Sequence, residues 1–119
     1  MSTDQSQIQF RYANPRAETA SLLAQGASLE NGELEIDIGP SRLTLDGPSP
    51  IRSGDCEPYE ITARDEENTE ANTLFDVTVN LSDSASGNFF SNSSCTSSIN
   101  DIVLTNGSSN ITFYYQNNF

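Results

Sequence analysis

Lysine, histidine and tryptophan are all missing from this chain of 119 residues. Without histidine it lacks the usual physiological-pH general base and the commonest transition-metal ligand, and no serine–histidine or cysteine–histidine nucleophile can be assembled. Without lysine it cannot close a lysine–asparagine isopeptide cross-link. Two carboxylates can still do glycosidase work, but the acidic residues are scattered and no pair stands out. The expectation is therefore no enzyme and no catalytic residue.

Apolar residues are scarce as well, at 34% of the chain. A core this lean has to be used efficiently, be cross-linked, or be completed by a neighbour. No stretch approaches the roughly 18 continuous apolar residues of a membrane-spanning helix, so no membrane insertion is expected. The start, MSTDQSQ, has neither a basic nor an apolar stretch. It is not a signal peptide; an exported protein would have had its leader cut off, and the alternative is a protein that stays in the cytoplasm.

What is abundant is negative charge: seventeen acidic residues against five arginines, a formal charge of −12. Such a surface repels nucleic-acid phosphates and anionic lipid. It suits saline surroundings, where screening relieves self-repulsion. The two cysteines, Cys56 and Cys95, allow a single bridge, which would imply an oxidising compartment. The alternative is two buried thiols packed as small hydrophobes. Closing that loop would contribute about 3–4 kcal/mol in the chain-entropy model.

The length suits one domain. Along it, short alternating segments follow one another with turn chemistry about every ten residues. Leu34, Ile36 and Ile38 alternate with Glu33, Glu35 and Asp37 between Asn31-Gly32 and Gly39-Pro40. Leu43 and Leu45 form a short strand, and Tyr59, Ile61 and Ala63 share one side of a longer one. Phe75, Val77 and Val79 form an inward row, as do Ile111, Phe113 and Tyr115; these six are the expected core. Residues 17–26 are ambiguous, because alanine and leucine favour a short helix whereas the alternation allows a strand. No strand–helix alternation supports a parallel sheet, so the fold class is all-β, an antiparallel sandwich of about seven or eight strands.

The acidic turn ARDEENTEAN offers Asp65, Glu67 and Asn68 as candidate calcium ligands, although it lacks EF-hand spacing and such a run is commonly a solvated turn. No other cofactor is indicated. Asn80, Asn92, Asn106 and Asn110 each open an N-x-Ser/Thr pattern, expected in a chain rich in these residues. Tyr12, Tyr59 and Tyr115 fall on inward positions, whereas Tyr114 points the other way and is the better candidate for an outside contact.

From Ser41 onward, SGDCEPYEITARDEEN, FDVTVNLSDSASGNFFSNSSC and IVLTNGSSNITFYYQN resemble one repeat of the bacterial immunoglobulin-like domains, the invasin- and intimin-like group. The resemblance covers about two-thirds of the chain. In such repeats the aromatic strand is followed by two more. The stretch AETASLLAQGASLENGELEIDIGP, near the N-terminus, resembles those two, and IQFRYAN before it matches ITFYYQN at four of seven positions, Ile8, Phe10, Tyr12 and Asn14 against Ile111, Phe113, Tyr115 and Asn117.

By this resemblance residues 1–40 look like the tail of one repeat, a strand-donating segment, and residues 41–119 like the head of the next, an immunoglobulin-like sandwich body. It also implies strand over helix for residues 17–26. The segment either folds back within its own chain or is exchanged between molecules, with Ile8, Phe10, Tyr12, Leu34, Ile36 and Ile38 as complementing residues. The function implied is a structural module of a surface fibre or filament, extracellular and partnered by copies of itself or neighbouring repeats. An adhesin or carbohydrate-binding module is the alternative, with its surface ligand unspecified.

Overall fold

The Asn31-Gly32 turn signal and the alternation around it become a hairpin. In the computed structural model, which describes residues 6–118, β1 (Thr19–Ala24) pairs antiparallel with β2 (Gly32–Asp37), from Thr19 opposite Asp37 to Ala24 opposite Gly32. Directly opposed residues share a face. Ala20, Leu22 and Ala24 therefore lie with Ile36, Leu34 and Gly32, while Thr19, Ser21 and Leu23 lie with Asp37, Glu35 and Glu33. One face is apolar and the other carries the acids. The helix that composition favours over residues 17–26 does not form; the strand does, since pairing with β2 satisfies its backbone groups.

Residues 38–41 lead into the rest of the chain: β3 (Arg42–Asp46), β4 (Cys56–Arg64), β5 (Val77–Asn80), β6 (Asn88–Phe90), β7 (Ser98–Ile99), β8 (Asp101–Leu104) and β9 (Asn110–Gln116). They make a five-stranded sheet of order β3-β4-β9-β6-β7 and a two-stranded sheet β5-β8. Every strand pairing is antiparallel. The protein is all-β, as its alternation predicts, with the arrangement of a sandwich.

The core lies where the small sheet meets the large one. Leu104 is fully buried and Ile61, Ala63 and Phe113 nearly so, while Val77, Val79, Ile102 and Ile111 are half-buried. The Cys56–Cys95 disulfide forms, with its Cα atoms 6.0 Å apart, and ties the start of β4 to the loop after β6. Phe89, Phe113, Tyr59 and Tyr115 extend the core as a chain of rings, with Tyr59 stacked on Phe113 at 5.9 Å and Phe89 tilted against Tyr115 at 5.4 Å.

Phe75 corrects the expected core: it is 68% exposed. The strand begins only at Val77. Just before it, Thr73 exchanges backbone hydrogen bonds with Gly107 and Ser108, so the chain at Phe75 follows that turn instead of the β8 ladder. Val77, Val79, Ile111, Phe113 and Tyr115 all lie at least half-buried.

The shape is far from a ball. Its extents are 72 × 23 × 22 Å and its radius of gyration is 21.9 Å, where a compact chain of this length would have about 13–14 Å.

Candidate functional site

Register shows what the small sheet leaves bare. Leu43 stands opposite Ala63 and Leu45 opposite Ile61, so both leucines are on the inner face of the large sheet, beside buried neighbours. Yet Leu43 is 47% and Leu45 65% exposed. Among the described residues the large sheet has five strands and the small sheet two; Ile61 and Ala63 of β4 are covered, whereas the inner face at β3 is left open.

A groove of about 200 Å³ opens there, lined by Leu45, Tyr59, Ser82, Asp83, Phe89, Phe113 and Tyr115. Its walls are set by glycine and by hydroxyl tethers. A Cβ on Gly47 would overlap the Tyr59 ring and one on Gly87 the end of the Tyr115 ring, so each tyrosine rests against bare backbone. Tyr59 donates its hydroxyl to the Pro48 carbonyl at 2.9 Å, and Tyr115 donates to Asp83 Oδ2 at 2.6 Å. The same Asp83 oxygen accepts the Gly87 backbone N–H at 3.1 Å. The hydrogen bond to Asp83 raises the Tyr115 hydroxyl above the usual tyrosine range, because ionisation would remove the donated proton. With both hydroxyls occupied internally, the groove offers mainly apolar ring surface.

A second apolar surface is at the other end of the molecule. Cys56 pairs with Gln116, and β4 runs from there to Arg64, opposite Arg42 at the start of β3. The hairpin joins at this Arg42/Arg64 end, whereas the groove lies toward the Cys56 end. On the hairpin's apolar face Leu34 is 60% exposed while Ala20, Leu22 and Ile36 are half-buried, and among the described residues neither hairpin strand is paired with a strand of the body. Residues 6–14 belong to no sheet. Ile8 is 87%, Phe10 74% and Tyr12 47% exposed; Phe10 borders the hairpin beside Leu22 and Leu34. The inward placement expected for Tyr12 does not hold, because the arm has no core beneath it. Tyr114, on the other face of β9, is half-buried.

The hairpin's base is locked to the acidic turn. Buried Asp65 accepts the backbone N–H of Ala17 at 3.0 Å through one oxygen, and those of Glu67 and Thr69 at 2.9 and 3.0 Å through the other. Those hydrogen bonds, first from Ala17 and then from Thr69, hold the carboxyl below the ordinary aspartate range. Glu66 N–H donates to the Pro15 carbonyl, Ile38 N–H to the Glu18 carbonyl, and Arg16 pairs with Glu67 at 2.5 Å. Arg42 donates to the Asn68 side chain at 2.7 Å.

In the turn read as a candidate calcium loop, both Asp65 oxygens accept backbone amides, Glu67 Oε1 pairs with Arg16 and Asn68 Oδ1 accepts from Arg42; among the described residues no group of three or more acidic, histidine or cysteine side chains is placed to hold a metal ion. The cluster serves as the joint between hairpin and body.

Of the residues singled out from sequence, Leu34 and Ile36 share the hairpin's apolar face, while Ile8, Phe10 and Tyr12 stand on the arm. Phe113 and Tyr115 line the groove. Ile38 instead bonds back to Glu18 at the hairpin's base. Sequence reasoning missed Leu22, Phe89, Asp83, Gly47 and Gly87 as parts of these surfaces. Leu43 and Leu45 were legible as strand residues, but nothing in their spacing marks them as uncovered. No protein-family model, curated protein or solved structure matches this chain.

Proposed function

We propose that this chain is a non-enzymatic structural module with an immunoglobulin-like sandwich body, acting outside the cell as a subunit or repeat of a surface fibre assembled by β-strand complementation. One observation carries the reading: an amphipathic hairpin with a partly covered apolar face, on which Leu34 is 60% exposed, at one end, and a half-covered apolar sheet face at the other. Each lacks what the other has. The joint at Asp65 holds the hairpin away from its own body's groove, which favours a neighbouring copy or repeat over folding back.

The mechanism is mechanical. Backbone groups along sheet edges pair across units, and leucine and isoleucine side chains leave water, each fully buried one contributing about 1.5–3 kcal/mol. A donor at one end and an acceptor at the other make a heterologous contact, which builds an open filament instead of a closed dimer. The disulfide agrees with an oxidising, extracellular setting. An adhesin or carbohydrate-binding module is less well supported, since the groove's tyrosine hydroxyls are already engaged with Pro48 and Asp83.

The test is light scattering coupled to size-exclusion chromatography, with electron microscopy, on the full chain over a wide concentration range. Expected are oligomers growing into thin fibres, and their loss in a Leu22→Asp/Leu34→Asp variant whose melting temperature is unchanged. Monomers at every concentration would sink the reading.

A further inference from the structure

If hairpin and groove do meet across two copies, as proposed above, the hairpin has two edges to offer and the acceptor has several to pair with. Position narrows the acceptor's choice. Ser82 and Asp83, two and three residues beyond Asn80 at the end of β5, line the groove with Leu45 and Tyr59, whereas no residue of β8 does. β5 is thus the strand that borders the bare face. It pairs with β8 on one side and, among the described residues, has no strand on the other. A hairpin laid over Leu45 and Tyr59 would come alongside this open edge.

Charge narrows the donor's choice. With the apolar face turned inward, β2 presents Glu33, Glu35 and Asp37 outward, whereas β1 presents Thr19, Ser21 and Leu23. β5 is flanked by Asp76 and Asp83, and its outward residues alternate with the half-buried Val77 and Val79 as Thr78 and Asn80. Like charges across adjacent strands are destabilising. An acidic strand is also a common way to blunt an exposed sheet edge against further pairing.

We infer that β1 of one copy pairs with the free edge of β5 in a second copy, extending the small sheet to the order β8-β5-β1-β2, with Leu22 and Leu34 seated over Leu45, Tyr59 and Phe113. The acidic β2 then becomes the outer, guarded edge. The two sheets reach four and five strands, and the bare face is covered.

Hydrogen–deuterium exchange of the full chain, compared between dilute and assembled samples, tests this directly. Amides of residues 77–80 and 19–24 should gain protection on assembly, with those of 42–46 unchanged. Assembly that protects 42–46 and leaves 77–80 unaltered would mean that the hairpin adds to the large sheet at β3; this inference would fall while complementation stood. Absence of both assembly and protection would remove the two together. As a second arm, Ser21→Glu should weaken assembly severalfold at low salt and Glu35→Gln should not. The reverse order would overturn the placement of β1 next to β5.

Discussion

The carboxylate of Asp65 accepts the backbone N–H of Ala17 at 3.0 Å, across 48 positions of sequence. Through this bond an acidic turn in the body fixes the base of a hairpin that, among the described residues, is paired with no strand of the body.

Asp65→Ala is therefore expected to loosen the joint without unfolding the hairpin or the sheets. Three buried or half-buried backbone amides lose their acceptor, and unmet polar groups of this kind are among the costlier single-site losses. Trypsin cutting after Arg16 should accelerate strongly, because the Arg16–Glu67 ion pair rests on the same turn. Cleavage as slow as in the parent chain would contradict the locking role.

Acid should release the same joint. The folded state holds Asp65 below its ordinary value of 3.8 through the Ala17 and Thr69 amides, and holds Glu70 below 4.5 chiefly through the Ser109 hydroxyl and then the Asn110 amide. A depressed carboxyl stabilises the fold above its unfolded value, and that stability is lost as pH falls through the lower folded value. Melting temperatures from pH 7 to 2 should drop below about pH 4.5. Asp65→Asn should show a shallower drop than the parent chain. Subtracting the two profiles removes the opposing gain from neutralising the chain's negative charge. Parallel profiles would exclude Asp65.

Reducing the Cys56–Cys95 bridge, or replacing both cysteines by serine, should cost about 3–4 kcal/mol, given the chain-entropy model and the separation of 39 residues. Denaturant titration with and without reductant measures it. A loss near zero would mean that the lean core holds the body by itself.

Gly87→Ala should destabilise by about 1–3 kcal/mol, the usual range for overpacking, because the added methyl overlaps the Tyr115 ring. That ring is held by Asp83 and Phe89 and has little room to yield. Trimming the ring in Gly87→Ala/Tyr115→Leu should make the two losses less than additive. Full additivity would show that the glycine is needed for its backbone alone.

Salt should favour assembly. Two chains of charge −12 repel until screening shortens the reach of their fields from about 10 Å at 0.1 M to about 3 Å at 1 M. Scattering should rise across that range, and a fall would argue that ion pairs, not apolar burial, hold the units.

Much of this architecture could be read from alternation. β2, β4 and β9 carry inward rows at period two, and the turn residues around them bound the strands. β1 was harder, since Ala20, Leu22, Leu23 and Ala24 suit a helix until β2 is there to pair with. Phe75 misled for the opposite reason: it shares the rhythm of Val77 and Val79 but lies two residues before the strand begins. In the acidic turn composition counts oxygens, whereas only the fold shows that Asp65 is aimed at three amides. The groove was the least legible part. Period two assigns Leu45 to a face, but only the number of strands in the opposite layer decides whether that face is wet.

The bridge from Cys56 to Cys95 spans β9 within the large sheet, joining the strand that carries Tyr59 to the loop beyond Phe89. It cross-links β4 to the loop after β6 close to the groove, so in the proposed assembly the acceptor would be the more constrained partner and the ordering on docking would fall mainly on the incoming hairpin.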